Sequence, residues 1–426
     1  MDKIGYILFI KLYPFVAKIL SPFNSKAALW VNGRKNILYN INGALEKDKS
    51  KKIWMHCASL GEFEQGRPLL EKLKNIYTDY KFVLTFFSPS GYEVKKNSNE
   101  ADYIFYLPID SKKNAADFFN AVNPSLIIFI KYDYWYYYLK EAHTRKIPLL
   151  LASGIFLPGF SFFQWYGKMR REMLTFFTHF FVQTENSKKL LQTINISNVS
   201  VAGDTRFDRV LEVAAEQKSF PEIIQFINNK KTIIAGSTWL DDDEVLDHFA
   251  NTHPELRFII APHDIGNSRI EECRSLYHFS IPHSQYINAL DYNKPIDENI
   301  NTLIIDNIGM LKFLYRYATI CYVGGGFGND GIHNILEAAV YYKPVLFGPE
   351  FDNFSEAIQL VEKGGAFDVE DALELEKQLE DLLTDEKFYK EACTISGEYV
   401  KSNIGATAVI IQYIQENLRL TNSSNS

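Results

Sequence analysis

The chain has 426 residues, of which 46% are hydrophobic and 23% charged, and its formal net charge at pH 7 is −7. This length suits two domains better than one core, and the composition excludes a largely disordered chain. The negative charge argues against nucleic acid as the main partner. The four cysteines are far apart and form no CxxC pair, which indicates a reducing, cytosolic compartment and argues against disulfides or structural zinc.

The first 35 residues combine apolar and basic side chains. The apolar run over residues 4–20 is interrupted by two lysines and a proline, so it is too short and too charged to span a bilayer. On a helix, Lys3, Lys11 and Lys18 would share one face within roughly 80° of arc. The pattern predicts either a helix lying on an anionic membrane surface or a helix packed on the first domain with its lysines exposed.

Short apolar runs then alternate with helical patterns, which indicates parallel βαβ units. The predicted strands cover residues 52–58, 81–87, 103–107, 126–130, 148–152, 180–183, 199–202, 232–235, 257–261, 302–305, 320–323 and 344–347. We therefore predict an α/β protein of two Rossmann-like domains with the active site in a cleft between them. The predicted divisions are an amphipathic segment (1–35), a first domain (36–212), a linker (213–230), a second domain (231–420) and a disordered tail (421–426).

The glycine-rich segment over residues 323–337, VGGGFGNDGIHNILE, is the strongest local signal. A strand leads into the glycines, and a helix is predicted to begin near His333. Helix amides bind anions, and glycines let a phosphate approach the backbone. Glu337 would share a helix face with His333 and accept hydrogen bonds from sugar hydroxyls. A tight turn without a ligand is the alternative, but the register of His333, Asn334 and Glu337 favours ligand binding.

Two further strand ends in the second half carry polar residues. Ser237 and Thr238 end the segment AGST, where small hydroxyl side chains either cap a helix or bind a phosphate. His263 ends the next strand in the segment APHD and is either a ligand contact or a structural histidine.

Two strand ends in the first half carry acidic residues. Glu62 follows Ser59 and Gly61 just inside a predicted helix, where it either complements the helix dipole or acts as a general base. Asp133 precedes a tyrosine-rich stretch that is either core or a platform for an apolar or sugar acceptor.

Together these segments resemble the 3-deoxy-D-manno-octulosonic acid (Kdo) transferases of lipopolysaccharide synthesis, glycosyltransferase family 30. The matching segments, in the family's order, are WMHCASLGE (54–62), GDTRFD (203–208), AGST (235–238), GIHNILE (331–337) and GPEFDNF (348–354). The resemblance covers nearly the whole chain.

The resemblance implies a GT-B glycosyltransferase with an N-terminal membrane-interface helix, working at the cytoplasmic face of the bacterial inner membrane. It implies inverting transfer of Kdo from CMP-Kdo to a lipid A precursor, with neither a metal nor a cofactor. Glu62 would be the general base, and the acceptor side would include Ser59, Gly61 and Asp133. The CMP-Kdo site would include Arg206, Ser237, Thr238, His263, Gly325, Gly326, His333, Asn334, Glu337 and Asn353.

The chain departs from the family pattern at three places. His263 and Asp264 stand where the family has Arg-His, Asp133 alone remains of a Glu-x-Glu pair, and Asp330 replaces a glycine. Asp241, Asp242 and Asp243 are interpreted as an acidic first helical turn. The alternatives are a GT-B enzyme that uses a UDP-sugar, either a transferase or a 2-epimerase-like isomerase, and a non-catalytic nucleotide-sugar-binding protein at the membrane.

Overall fold

The computed structural model describes residues 3–328, 331–418 and 420. It divides the chain into two compact units. The first unit contains the chain up to Arg209 together with the segment from Ile404 onward, and the second unit contains Val210–Asn403. The predicted tail (421–426) and Asp330 lie outside the described residues.

The first unit is built on a seven-stranded parallel sheet. Its strands are β1 (Lys51–Cys57), β2 (Tyr80–Phe86), β3 (Tyr103–Tyr106), β4 (Pro124–Ile130), β5 (Leu149–Gly154), β6 (His179–Val182) and β7 (Val199–Val201). Its helices are α1 (Lys3–Leu20), α2 (Ser25–Gly33), α3 (Ile37–Leu45), α4 (Leu60–Ile76), α5 (Pro89–Lys95), α6 (Lys112–Val122), α7 (Tyr136–Thr144), α8 (Lys168–Leu174), α9 (Glu185–Thr193) and α10 (Thr205–Ala215).

The strand order of this sheet is β3-β2-β1-β4-β5-β6-β7. Both faces are covered, because Trp54 of β1 packs into one buried cluster and its neighbours Ile53 and Met55 pack into another. The order reverses between β1 and β4. Ligands of such sheets bind beyond the carboxyl ends of the strands at this switch point.

Helix α1 is docked on the first unit through its inner face. The hydroxyl of Tyr6 donates to Asp110 at 2.5 Å and accepts from the amide of Tyr136. Apolar side chains on the other side are exposed, as for Ile4 (76%). Lys11 and Lys18 are exposed, and the side chain of Lys3 is outside the described part. Within the described ranges, no helix is long and apolar enough to cross a bilayer.

The second unit repeats the architecture around another seven-stranded parallel sheet. Its strands are β8 (Thr232–Thr238), β9 (Arg257–Pro262), β10 (Ser280–Pro282), β11 (Thr302–Ile304), β12 (Ile320–Val323), β13 (Val345–Phe347) and β14 (Ala366–Asp368). Its helices are α11 (Pro221–Ile227), α12 (Leu240–Thr252), α13 (Asn267–Leu276), α14 (His283–Asp291), α15 (Leu311–Leu314), α16 (Leu336–Ala339), α17 (Ser355–Lys363), α18 (Ala372–Thr384) and α19 (Glu386–Ser402), with a 3-10 turn at Tyr315–Tyr317.

The order in this sheet is β10-β11-β9-β8-β12-β13-β14, so its switch point lies between β8 and β12. The predicted strands are all present. Two further strands, β10 and β14, were not predicted and lie at the two edges of the sheet. Their sequences, SIP and AFD, contain only one large apolar residue each and so form no apolar run.

The predicted domain boundaries need two corrections. The last helix, α20 (Ala406–Asn417), belongs to the first unit and not to a second domain over 231–420. Ile410 and Ile414 pack into the core cluster that contains Met55 of β1. The predicted linker (213–230) lies inside the second unit, which begins at Val210, and it holds the end of α10 and all of α11.

Candidate active site

The switch point of the first unit brings together Glu62 and Asp133, which follow β1 and β4. Glu62 lies in the first turn of α4, which is capped by the Ser59 hydroxyl accepting from the Glu62 amide at 3.5 Å. The Glu62 carboxylate accepts a hydrogen bond from the backbone N–H of Ala58. A Cβ on Gly61 would have only the Ser59 hydroxyl as a near neighbour, at 4.0 Å. This side of the helix start is therefore open.

The Glu62 carboxyl is tuned to titrate near neutral pH. Its side chain is buried, and its pKa is raised to about 7, first by burial and second by the negative charge of Asp133. The Ala58 hydrogen bond and the charge of Lys131 oppose this rise. A carboxyl with this pKa can accept a proton at neutral pH, which is the requirement for a general base.

Asp133 is held by a chain of hydrogen bonds that includes the buried His56. His56 Nε2 lies 2.8 Å from Asp133 Oδ2, and His56 Nδ1 lies 2.8 Å from the Thr85 hydroxyl. Because the Asp133 carboxylate only accepts, Nε2 carries the proton that points to it, and in this tautomer Nδ1 accepts from the Thr85 hydroxyl. The indole of Trp54 donates to the same hydroxyl oxygen. The indole of Trp135 donates to the same Asp133 oxygen at 3.0 Å. Asp133 is thus fixed in place at the switch point.

His56 belongs to the segment WMHCASLGE, but no role was predicted for it. The available signal was a polar residue within the buried, otherwise apolar run over residues 53–57. Lys131, which also had no assigned role, adopts a left-handed backbone conformation at φ +67° directly after β4. This conformation is uncommon for a residue with a Cβ, and such residues concentrate at functional sites.

At the switch point of the second unit, neighbouring loops contact each other directly through their backbones. A Cβ on Gly324 would lie 2.5 Å from the carbonyl oxygen of Ser237, and one on Gly326 would lie 2.6 Å from the amide nitrogen of Gly348. Gly325 adopts φ +97°. The glycines therefore let the loops after β8, β12 and β13 lie directly against each other.

Asp242 of α12 fixes the glycine-rich loop after β12 through hydrogen bonds. Its carboxylate accepts from the amides of Gly325 (2.9 Å) and Trp239 (2.8 Å) and from the hydroxyl of Tyr322 (2.8 Å). Asp241–Asp243 do open a helix, as predicted. The amide of Gly325, a predicted donor-site residue, is thus bonded to Asp242.

The prediction that a helix begins near His333 is wrong. The helix is the four-residue α16, Leu336–Ala339, and His333 and Asn334 lie in the loop before it. Asn334 caps the turn by accepting from the Leu336 amide and donating to Glu337 at 3.3 Å. Glu337 and His333 therefore do not share a helix face. Competition from the glycine-rich turn explains why the helix starts late.

Three rings stack at the carboxyl edge of the second sheet. The Trp239 ring lies 4.5 Å from that of His263, which in turn lies 4.7 Å from that of His333, both nearly parallel. The two histidines were predicted donor-site residues, and the stack brings them together. Trp239 was not predicted, because a tryptophan at a helix N-cap has no distinctive spacing.

The remaining predicted residues are more dispersed. Ser237 and Thr238 end β8, with Ser237 at φ +57°. Asn353 is exposed in the turn after β13. Arg206 lies in the first unit, where its guanidinium is 2.8 Å from the carboxylate of Asp204. Its charge is therefore already partly neutralised.

Comparisons with known proteins agree with this architecture. Residues 35–209 match the family model described as 3-deoxy-D-manno-octulosonic-acid transferase (kdotransferase). The chain is 26% identical over 365 residues to a 3-deoxy-D-manno-octulosonic acid transferase of Aquifex aeolicus, covering 84% of this chain and 90% of that one. It is 27% identical to a bifunctional glycosyltransferase/methyltransferase of Fusobacterium nucleatum, covering 80% of this chain but only 54% of that protein.

Among solved structures, the UDP-GlcNAc 2-epimerase from Neisseria meningitidis is similar in fold. It has a TM-score of 0.60 and 18% identity and covers 86% of this chain and 100% of that one. The two parallel-sheet units thus have the GT-B fold class. The family model over residues 35–209 and these relatives show that the chain is similar to Kdo transferases over most of its length, and that it is a glycosyltransferase.

Proposed function

We propose that the protein transfers Kdo from CMP-Kdo to a lipid A precursor and inverts the anomeric centre. The observation that carries the proposal is the Glu62 carboxyl, which lies at the switch point of the first sheet with its pKa raised to about 7. The match of residues 35–209 to the Kdo transferase family model supports Kdo as the transferred sugar. The acceptor, the stereochemistry and the role of Glu62 are the proposal's own.

Glu62 acts as the general base. It takes the proton of the acceptor hydroxyl while that oxygen forms a bond to the anomeric carbon of Kdo. The bond from this carbon to the CMP phosphate breaks on the opposite face, and its electron pair leaves with the phosphate oxygen. A single displacement of this kind inverts the centre. The open space beside Gly61 and the Ser59 hydroxyl would receive the acceptor.

Asp133 is a positioning residue in this proposal. Its negative charge raises the pKa of Glu62 and so makes Glu62 a stronger base. The hydrogen bonds from His56 and Trp135 keep the Asp133 carboxylate in a fixed orientation. Lys131 acts in the opposite direction, because its positive charge lowers the Glu62 pKa.

The second unit binds the donor in this proposal. The hydroxyls of Ser237 and Thr238 and the stacked imidazoles of His263 and His333 would contact the anionic groups of CMP-Kdo. Asn334, Glu337 and Asn353 would hold sugar or nucleotide hydroxyls, and Arg206 of the first unit would supply positive charge.

We expect the reaction to need no metal ion. The acidic cluster at the start of α12 has other partners, since Asp242 accepts three hydrogen bonds and Asp243 is ion-paired with Arg269. Carboxylates that hold protein donors in this way are poorly placed to coordinate a divalent ion. Turnover that survives EDTA and is not raised by added Mg²⁺ is the expected result.

The proposed place of action is the cytoplasmic surface of an anionic inner membrane. Helix α1 exposes a row of apolar side chains, including Leu8 and Phe15, and the basic residues Lys11 and Lys18. Its inner face is fixed to the first unit through Tyr6. Flotation with anionic vesicles that is weakened when residues 1–21 are removed is the expected result.

The direct test is a comparison of donors. The purified protein is incubated with CMP-Kdo or UDP-GlcNAc and a detergent-dispersed tetraacylated lipid A precursor. Nucleotide release and the mass of the product are then measured. We expect release of CMP and one or more Kdo additions to the lipid. Release of UDP, epimerised UDP-GlcNAc, or no turnover with CMP-Kdo would overturn the proposal.

A further inference from the structure

We propose that the first unit has a second membrane contact, separate from α1, at the tip of the loop over residues 155–167. Trp165 and Tyr166 form this tip, which we call the aromatic tip. The inference rests on the proposed function in one respect, namely that the acceptor is a lipid. The bound surface would be an anionic phospholipid bilayer.

The loop leaves the carboxyl end of β5, the edge of the sheet that also carries Glu62 and Asp133. Its thirteen residues, IFLPGFSFFQWYG, include no charged side chain. Phe156 and Phe162 are buried in the core of the unit and anchor the loop.

The base of the aromatic tip is fixed by hydrogen bonds and close packing. The Arg171 guanidinium donates to the carbonyls of Phe162 (3.0 Å) and Gln164 (2.7 Å). Gly167 closes the turn with its amide on Gln164, and a Cβ there would lie 1.8 Å from the Ser161 carbonyl oxygen. The loop therefore holds Trp165 outward in a defined position.

Trp165 is 89% exposed, and its neighbour Tyr166 and Leu157 of the same loop are also exposed. The two aromatic rings contact each other edge to face at 5.5 Å. A single exposed apolar residue needs no explanation, but two exposed aromatic rings in contact, in an uncharged loop that also exposes Leu157, point to a binding surface. Tryptophan and tyrosine are the side chains that favour the headgroup region of a bilayer, because the ring is apolar and carries one polar atom.

The charges next to the aromatic tip favour an anionic surface. Lys168 is exposed and Arg170 half-exposed in the turn of α8 that follows the tip. The acidic neighbour Glu172 accepts a hydrogen bond from Tyr136 at 3.0 Å. Basic residues beside interfacial aromatics contribute attraction to anionic headgroups.

The aromatic tip and α1 attach to the same part of the first unit. Tyr136 contacts Tyr6 of α1 edge to face at 6.2 Å and bonds to Glu172 of α8, the helix that begins after the tip. Two contacts at one edge would hold the Glu62 side of the sheet against the lipid surface. A lipid acceptor could then present its sugar without leaving the bilayer.

The first test measures partition into vesicles of phosphatidylglycerol and phosphatidylethanolamine. Burial of an exposed tryptophan is large enough that Trp165→Ser should weaken partition by about tenfold or more. The joint change of Lys168 and Arg170 to Gln should weaken it by about tenfold and only with anionic vesicles. Tyr292→Ser removes a comparably exposed aromatic from the second unit and is the matched control. Equal partition of the Trp165 and Tyr292 variants would overturn the proposal.

The second test uses the tryptophan itself as a reporter. Vesicles with brominated acyl chains should quench the wild-type fluorescence, and Trp165→Phe should remove most of this quenching. Trp239→Phe removes the partly exposed tryptophan of the second unit and should leave the quenching by brominated lipid unchanged. Quenching that survives Trp165→Phe would contradict membrane insertion and would point to a protein partner for the tip.

The two proposals fail in distinguishable ways. If the aromatic tip is a membrane contact, Trp165→Ser loses vesicle partition but still releases CMP with the detergent-dispersed acceptor. If the wild-type protein releases no CMP in detergent while vesicle binding still depends on Trp165, the proposed function is wrong. The proposal that the aromatic tip contacts the membrane is then still supported.

Discussion

The two switch points are built from different materials. In the first unit, the site is made of titratable side chains, with Glu62 buried beside Asp133 and a hydrogen-bond chain running back to His56. In the second unit, the site is formed by backbone groups. Gly324 and Gly326 pack against neighbouring loops, and Asp242 accepts a hydrogen bond from the amide of Gly325. The same sheet topology thus carries interacting carboxyl groups in one unit and close-packed loops with stacked rings in the other.

The difference predicts how each unit responds to substitution. Changes at the first switch point should alter the chemical step and its pH dependence while the fold remains. Changes at the glycines of the second should alter the stability of that unit first. The following predictions test this division, from the largest expected effect to the smallest.

The largest expected effect comes from Glu62→Gln. The amide fits the same space but cannot accept a proton, so kcat should fall by about 10²-fold or more. The KM for CMP-Kdo should change little, because Glu62 is proposed to act on the acceptor. The matched control is Glu64→Gln, which removes a carboxylate from the exposed side of the same helix. Steady-state CMP release checks both, and equal rates for the two variants would contradict the role of Glu62.

Two glycine substitutions, one in each unit, should differ in their effect on the free energy of unfolding. In Gly326→Ala the added methyl meets the backbone of Gly348, which cannot move aside without shifting the loop after β13. We expect the free energy of unfolding to fall by about 3 kcal/mol. In Gly61→Ala the methyl enters open space in the first turn of a helix, so stability should be unchanged or rise by about 0.5 kcal/mol.

Urea unfolding followed by circular dichroism measures this pair. A Gly61→Ala variant as unstable as Gly326→Ala would contradict the open space beside Ser59. Activity gives a second reading, since a methyl group at Gly61 that impairs transfer without loss of stability would support acceptor binding there.

The pH profile should report the Glu62 carboxyl. Because its pKa is raised to about 7, Glu62 is protonated below that pH and cannot act as a base. We expect kcat to rise with pH, about tenfold per unit below 6, and to level off above 8. Asp133→Asn removes a charge that raises this pKa, so the midpoint should move to lower pH. Lys131→Asn removes a charge that lowers it, so the midpoint should move to higher pH, and asparagine tolerates the left-handed backbone there.

Midpoints from kcat profiles over pH 5 to 9 decide this prediction. Shifts of both variants in the same direction would show that the midpoint does not belong to Glu62. Asp133→Asn should also lower kcat, because a weaker base accepts the proton less readily.

Much of this arrangement could be predicted from the sequence, and the reasons for the failures are physical. The long buried strands and the location of Glu62 at a strand end follow from local patterns that the fold preserves. Short edge strands such as β10 and the return of α20 to the first unit depend on contacts far away in the chain. The role of Asp242 could not be predicted, because it acts on Gly325, 83 residues later.

The late start of α16 shows a more local failure. The segment before Leu336 has a helical pattern of side chains, yet the chain there runs against Gly324 and the loop after β13 and bonds to them through the amides of His333 and Ile332. Tertiary hydrogen bonds outweigh a weak local preference for helix over four residues.

The smallest expected effect is that of Trp239→Ala on donor binding. The ring of Trp239 stacks on His263, which stacks on His333, so the tryptophan holds two proposed donor contacts in one orientation. Loss of one stacked pair is worth about 1 kcal/mol, so the KM for CMP-Kdo should rise about fivefold with kcat nearly unchanged. Trp239→Phe should retain most of the affinity, because it keeps an aromatic face against His263. If alanine and phenylalanine raise KM equally, stacking is not what orients the histidines, and if neither raises KM, this edge of the second sheet does not bind the donor.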